Sequence, residues 1–204
     1  LSWTERKSTR VAQKIPVNWE DLCEKSTFRK IYSIKEYDIP SQLYVNSDQT
    51  QAVYVPGNKL TYAKIRDKQV SLVGAEEKRA FTIMVSVANN GALLPFQAIY
   101  EGKTRASLPS AKSPHYKDVV DAGIILEFSG TATYWSNMKT MKNFVNKILD
   151  PYFNRVRQEL GLPVTQKALW QIDVWLVHRS VEFCDWMKQN YPNIILDYVP
   201  GGCT

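Results

Sequence analysis

Two aspartates, Asp48 and Asp173, are the residues of this sequence whose types and surroundings could support chemistry. Asp173 lies in an apolar run over residues 170–180, where aromatic and β-branched residues surround one carboxylate and His178 follows five positions later. A buried charge in such a run is costly unless it is paired or binds a metal ion. A carboxylate that caps the following helix would give a similar pattern, so this segment alone leaves structural and functional roles equally open.

Asp48 occurs in a second segment that predicts β-structure. Residues 43–50 and 52–56 are rich in aromatic and β-branched residues and are predicted as two strands. Asp48 is then expected where the first strand gives way to the second. A turn carboxylate is the alternative, because Asp is common in turns.

The composition limits which classes of protein this chain could belong to. The chain has 204 residues, 44% of them hydrophobic, and a net charge of +6, which fits one globular domain and allows a polyanionic partner. Cys23, Cys184 and Cys203 are far apart and form no C-x-x-C pair, so a disulfide framework or zinc finger is not expected and a reducing compartment fits. We expect no membrane association, since no apolar stretch reaches membrane-spanning length. Residues 1–7 lack the apolar core of a secretory signal, and because the chain does not begin with Met we expect it to be a fragment or a processed piece.

Periodicity and turn signals predict the order of the remaining elements. The strongest signal is Asn89-Asn90-Gly91 between two apolar runs, which predicts a β-hairpin. The other predicted elements are a helix over 18–34, a turn over 56–59, strands over 70–73, 80–88, 92–100 and 124–128, an amphipathic helix from 137 to 152 with a boundary or kink at Asp150-Pro151, a strand over 168–177, a helix capped by Ser180 and a strand over 193–199.

This order predicts an α/β fold with a mixed sheet: an antiparallel meander followed by a right-handed βαβ unit. The arrangement indicates a ribonuclease H-like fold, in which the Asp48 strand is central and the Asp173 strand lies beside it. Two carboxylates at neighbouring strand ends would repel each other unless cations intervene, and oxygen ligands suit Mg²⁺ or Mn²⁺. Metal ions held in this way support phosphodiester chemistry on DNA or RNA.

Two basic segments lie outside the predicted core. Residues 1–14 carry four cations against one acid and are interpreted as a solvated arm or helix, or as a segment that lies along phosphates. Residues 102–117 have no periodicity and are predicted to be a long surface loop, either a solvated insertion or a loop that binds a phosphate backbone. The cations of this loop are the nucleic-acid-binding candidates: Lys103, Arg105, Lys112 and Lys117. We divide the chain into a basic N-terminal helical segment or linker, 1–40, and a catalytic-type domain, 41–204.

Short motifs in the same order resemble the DDE endonuclease domain of the mariner/pogo superfamily of transposases, in particular a fungal branch. The motifs are Asn46-Ser47-Asp48-Gln49-Thr50, the run from Glu77 to Thr82, the run from Leu94 to Lys103, Trp135 with the following helix, and Ile172-Asp173 through Ser180. The likeness extends over nearly the whole chain from about Asn18.

The resemblance implies a function and a site. Asp48 and Asp173 would hold Mg²⁺ or Mn²⁺, DNA would be cleaved by water attack, and the freed 3′-hydroxyl would attack target DNA. His178 could orient a ligand or the scissile phosphate, with local capping or packing as the favoured alternative. The resemblance also implies a nuclear protein and allows a homodimer.

Two departures from the family pattern qualify these expectations. Val174 stands where the family usually has Asn, which puts a role for that amide in doubt. The family's third carboxylate lies on a helix after a loop that corresponds to residues 200–204, and Asp197 is not a substitute because it precedes that loop. We therefore expect this 204-residue chain alone to be inactive or nearly so.

Three other interpretations stay open. One is a ribonuclease H-like nuclease that hydrolyses without strand transfer. Another is a domesticated, non-catalytic module that binds DNA or a protein. The last is an unrelated α/β interaction module, which would require Asp48 and Asp173 to lie far apart.

Overall fold

The computed structural model describes residues 3–7, 15–54, 60–64 and 80–203. The strands are β1 (Trp3–Lys7), β2 (Tyr44–Val53), β3 (Leu60–Lys64), β4 (Ala80–Ala88), β5 (Gln97–Tyr100), β6 (Ile125–Phe128), β7 (Ala168–Ile172) and β8 (Ile194–Tyr198). The helices are α1 (Trp19–Glu36), α2 (Tyr116–Asp121), α3 (Met138–Phe144), α4 (Asp150–Glu159) and α5 (Val181–Asn190). A π-helical segment, Val145–Leu149, joins α3 to α4, and short 3₁₀ turns occupy Ser41–Leu43 and Arg105–Ser107.

Six strands form one mixed sheet in the order β6-β5-β4-β2-β7-β8. β2, β4 and β5 are antiparallel neighbours, whereas β7 is parallel to both β2 and β8, and β6 is parallel to β5. The strand that carries Asp48 is thus central, and the strand that precedes Asp173 lies beside it. This topology confirms the predicted α/β class and the ribonuclease H-like order of the meander and βαβ unit.

The hydrophobic core lies between one face of the sheet and the helices α3, α4 and α5. Along β4 every second residue from Ala80 to Ala88 is buried, while most of those between them are only partly covered, the pattern of a strand with one fully packed face. Trp170 on β7 is fully buried, and its ring lies 5.7 Å from that of Phe144 and 6.3 Å from that of Phe183. Its indole N–H donates to Ser47 Oγ on β2 at 2.8 Å, so the core also joins the two central strands.

Three strand predictions need correction. β2 is one continuous strand, so Asp48 lies within it and not at a junction of two strands; its pairing with β4 extends from Val45 to Val53 without a break. β7 ends at Ile172 rather than at residue 177, because the following residues fold into turns closed by backbone bonds such as Ser180 N–H to Val177 O. The hairpin turn at residues 89–91 is present, but β5 begins only at Gln97, since Pro95 has no N–H to offer a neighbouring strand.

The helical predictions also change in detail. The chain stays helical from Met138 to Glu159, and Asp150-Pro151 does not end the helix. A proline ring clashes with the carbonyl four residues earlier in a regular α-helix, and the wider π-turn just before Pro151 relieves that clash. The predicted loop over 102–117 contains a 3₁₀ turn and the start of α2. At the helix after β7, Ser180 is the N-cap as predicted, because its Oγ accepts from Phe183 N–H at 3.2 Å.

Predictions near the N-terminus are tested in part. Trp3–Lys7 forms a strand that pairs antiparallel with β3, so this part of the basic arm is not helical. The predicted helix over 18–34 is α1, which extends to Glu36. Residues 8–14, the predicted turn at 56–59 and the predicted strand at 70–73 lie outside the described residues. Among the helices that the structure describes, none is long and apolar enough to cross a membrane.

Candidate metal and nucleic-acid site

The parallel pairing of β2 with β7 brings Asp48 and Asp173 to the same level of the sheet. Tyr44 pairs with Leu169, Val45 with Trp170 and Asn46 with Gln171. Asp48 lies two residues after Asn46, and Asp173 lies two residues after Gln171, so the same register aligns Asp48 with Asp173. Asp48 is still inside its strand, whereas Asp173 is the first residue beyond β7.

Asp48 presents its carboxylate on the solvent-exposed side of β2. The residues before and after it, Ser47 and Gln49, point toward the helices, and Asp48 itself is exposed. Its Oδ1 accepts a hydrogen bond from the backbone N–H of Gln49 at 2.8 Å. This local bond leaves the second oxygen available to an external ligand.

The buried side chain of His178 contacts Asp173 from the interior of the protein. His178 is 1% exposed, and its Nδ1 lies 3.0 Å from Asp173 Oδ1 and 3.2 Å from the Asp173 carbonyl oxygen. The side chain of Asp173 keeps 33% of its surface exposed. His178 therefore orients Asp173 from the protein side and leaves the outer side of the carboxylate open.

Gln49 and Ser136 extend this arrangement and were not identified from the sequence. Ser136 Oγ donates to Gln49 Oε1, which turns the Gln49 amide nitrogen toward His178 Nε2 at 3.4 Å. An amide nitrogen can only donate, so His178 Nε2 is the acceptor and Nδ1 carries the proton that is donated to Asp173. The clue in the sequence was the position of Gln49 next to Asp48, but only the fold brings Ser136 and His178 to it.

Asp197 has a different role from the two candidate ligands. It pairs with Gln171 across β7 and β8 and is 2% exposed. One carboxylate oxygen lies 2.7 Å from the Arg29 guanidinium of α1, and the other accepts from Gln171 Nε2 at 3.3 Å. Since both oxygens are bonded within the protein, Asp197 fastens α1 to the sheet.

The loop after β7 is flanked by aromatic side chains and by the last described residues. The Trp175 ring lies 5.7 Å from the ring of the exposed Trp135, which in turn lies 5.2 Å from Tyr134. On another side, Val174 faces the backbone of Gly201, where an added Cβ would lie 3.9 Å from Val174 Cγ2. Val174 offers no donor or acceptor, so the side chain at this position cannot replace the amide that the family pattern has there.

The predicted nucleic-acid contacts lie away from the β2–β7 pair in sequence, on the segment between β5 and β6. All four cations, Lys103, Arg105, Lys112 and Lys117, are exposed. Arg105 also lines a cleft of about 320 Å³ together with Glu127 and Lys147. Within the described ranges none of the four forms an ion pair, so their charges are available to a polyanion.

The two aspartates offer oxygen ligands, which suit a divalent cation such as Mg²⁺ or Mn²⁺. Among the described residues, no three His, Cys, Asp or Glu side chains are grouped so that they could hold a metal ion. Mg²⁺ keeps several water ligands and is commonly bound through one or two carboxylates together with substrate phosphates. Two partly free carboxylates therefore fit Mg²⁺ or Mn²⁺ as an incomplete protein ligand set.

Comparisons with known proteins give structural neighbours only. No protein-family model matches the chain, and no curated protein sequence matches it. A pre-cleavage Mos1 transpososome has 13% identity and a TM-score of 0.48, with 96% of this chain and 48% of that chain covered. A Mos1 mariner paired-end complex with Mn has 11% identity and a TM-score of 0.48, with 94% and 46% covered.

The chain spans about half the length of these structures. These solved structures do not address the fungal branch. At TM-scores of 0.48 they carry no argument about this chain, and its assignment to the ribonuclease H-like class rests on its own strand order.

Proposed function

We propose that this chain is a DNA-processing domain of the transposase type in which Asp48 and Asp173 bind Mg²⁺ or Mn²⁺. The observation that supports the proposal most directly is the β2–β7 register, which, continued two residues beyond its last pair, Asn46 with Gln171, aligns Asp48 with Asp173. The carboxyl ends of parallel strands are where α/β proteins commonly bind ligands. The motif resemblance also supports the transposase class, because it identified Asp48 and Asp173 from the sequence alone.

In the proposed site, different residues would bind the divalent ion and orient its ligands. Asp48 and Asp173 each have an outward-facing carboxylate oxygen to contribute, and His178 keeps Asp173 in one orientation. A divalent ion bound there would activate a water molecule and stabilise the leaving oxygen of a phosphodiester. Partners that orient a metal ligand typically change affinity or activity 10- to 100-fold when mutated, so His178 and Gln49 belong to the proposed site as positioning residues.

Metal binding is tested by thermal unfolding with and without Mg²⁺ or Mn²⁺. A ligand that binds the native state stabilises it, so the unfolding temperature should rise with metal concentration. Asp48→Asn and Asp173→Asn should each remove most of that rise, while Asp185→Asn, an exposed aspartate on α5, should keep it. An equal response in all four proteins would contradict the assignment.

DNA binding is tested by the salt dependence of affinity for duplex DNA. If the exposed cations of the segment between β5 and β6 contact phosphates, their replacement by alanine should weaken binding and reduce the slope of log K against log salt by about 0.9 per lost contact. A control variant that removes one exposed cation of α4, Arg155→Ala, should leave the slope unchanged. Unchanged binding in the four-residue variant would remove this segment from the proposed interface.

Strand cleavage and strand transfer are separate proposals. Assaying nicked and joined DNA products in Mg²⁺ distinguishes a transposase, which yields both, from a nuclease, which yields only nicks. We expect little of either from these 204 residues alone, because the resemblance places a further carboxylate after the loop at residues 200–204. Robust Mg²⁺-dependent cleavage would show this expectation to be wrong.

A non-catalytic DNA- or protein-binding module is the second candidate. It is favoured by the small number of grouped ligands among the described residues. It predicts no effect of metal on unfolding and no loss of binding in Asp48→Ala or Asp173→Ala. The domain boundary near residue 40, the nuclear location and the homodimer remain predictions.

A further inference from the structure

Polar contacts hold the first part of α1 against the end of β8. Ser26 Oγ donates to the Tyr198 carbonyl oxygen at 3.4 Å, and Arg29 donates to the same oxygen at 3.1 Å. Arg29 also donates to Asp197 Oδ1 at 2.7 Å. The N-terminal turns of α1 therefore lie next to the residues that follow β8.

Cys23 and Cys203 meet at this place. Cys23 precedes Ser26 by three residues, close to one helical turn, so the two side chains lie on the same side of α1. After β8 the chain turns within the 200–203 loop, where Cys203 N–H donates to the Pro200 carbonyl oxygen at 3.0 Å and Gly202 has a φ of +78°. At the end of this turn the Cys203 thiol is a neighbour of the Cys23 thiol.

The two thiols are free, in contact and accessible. The Cys203 thiol hydrogen-bonds with the Cys23 thiol, and both residues are partly exposed. Partial burial and this contact raise the pKa of Cys203. Cys184 has other neighbours, because its Sγ lies 3.5 Å from the Tyr198 hydroxyl and 3.7 Å from the His178 carbonyl oxygen. The fold thus pairs Cys23 with Cys203, two residues that nearly the whole chain separates in sequence.

We propose that Cys23 and Cys203 are a redox modification site that closes into a reversible disulfide between α1 and the 200–203 loop. The oxidant is a low-molecular-weight disulfide of the glutathione class. One cysteine thiolate attacks a sulfur of this oxidant, whose S–S bond breaks, so that a mixed disulfide forms and one small thiol leaves. The second cysteine thiolate attacks the protein sulfur of the mixed disulfide and releases the other small thiol. The two protein thiols are oxidised, and the oxidant is reduced to two thiols that take up the two protons.

The geometry of the site favours this closure. Because the two thiols are already in contact, the second attack is intramolecular and does not have to wait for another molecule. A disulfide requires Cα atoms about 4.4–6.8 Å apart, and Gly201 and Gly202 directly before Cys203 give the backbone freedom to reach that distance. In a reducing compartment the pair stays as two thiols, and it closes when the thiol–disulfide balance becomes more oxidising.

The cross-link would restrain a loop that contacts the candidate site. Gly201 faces Val174, the residue after Asp173, and a Cβ added to Gly201 would lie 3.9 Å from Val174 Cγ2. Oxidation would therefore hold the 200–203 loop against the turn that carries Asp173. The proposal does not depend on metal binding or on DNA, so it can fail or succeed independently of the proposed function.

The test is oxidation of the full 204-residue chain by oxidised glutathione under native conditions, followed by intact mass measurement and peptide mapping. The wild type should lose about 2 Da, the mass of two hydrogen atoms, and should yield a Cys23–Cys203 peptide and a free Cys184 thiol. In urea Cys184 and Cys203, which are closest in sequence, should pair instead. A different native pair, glutathione adducts without an internal disulfide, or the same Cys23–Cys203 pair in urea would overturn the proposal.

Substitutions separate the cross-link from other effects of oxidation. Cys184→Ser is the matched control and should form the same disulfide as the wild type, whereas Cys23→Ser and Cys203→Ser should each abolish it. A disulfide that closes a long loop restricts the unfolded chain, so oxidation should raise the unfolding temperature of the wild type and of Cys184→Ser by roughly 5–15 °C. The other two variants should show no rise. No rise in the wild type, or an equal rise in all four proteins, would contradict the proposal.

Discussion

Replacing Arg29 by methionine should reveal how strongly α1 is held to the sheet. The change keeps most of the side-chain length but removes the cation 2.7 Å from Asp197, whose side chain is 3% exposed. Removing one partner of a buried ion pair commonly costs about 3–5 kcal/mol, because the remaining charge is buried without compensation. Arg29 is 55% exposed and Gln171 still donates to Asp197, so we expect the lower part of this range, about 3 kcal/mol at pH 7.

The assay is urea unfolding at pH 7, followed by tryptophan fluorescence, with the slope m of the two proteins compared to confirm that the transition is the same. Lys25→Met is the matched control, since Lys25 forms an exposed pair with Asp21 at 2.8 Å, and such pairs contribute about 0–1 kcal/mol. Equal losses in the two variants would refute the buried-pair argument.

Two further changes test the network behind the candidate site. Gln49→Leu should destabilise the protein by about 1–3 kcal/mol, because it leaves His178 Nε2 buried without a hydrogen-bond donor. In the wild type, ¹⁵N NMR should show that His178 is protonated at Nδ1. Protonation at Nε2 would contradict the assigned network. Trp170→Phe removes the indole donor to Ser47 and should cost about 1 kcal/mol or somewhat more in unfolding free energy, because Ser47 keeps its bond to Ser86 at 2.6 Å. A loss above about 4 kcal/mol in that variant would indicate that cavity formation, not the hydrogen bond, dominates.

Local sequence patterns determined much of the fold and part of the site. The Asn-Gly turn, the helical spacing after Asn137 and the Ser180 cap each depend on neighbouring residues, so their elements could be predicted one by one. The short motifs around Asp48 and Asp173 also depend only on neighbouring residues, so both aspartates could be identified from the sequence. The register that aligns them joins two strands that are far apart in sequence, so it was decided by the tertiary structure.

Only the tertiary structure decided where these elements end and what supports the site. Trp175 and Val177 have side chains that favour strands, yet β7 stops at Ile172 because the turns after it take up the backbone hydrogen bonds. Pro151 remains inside a helix because a π-turn makes room for it. Ser136, Gln49, His178 and Asp173 are joined by contacts between residues up to 129 positions apart, which no local pattern encodes. Arg29 reaches Asp197 across 168 positions for the same reason.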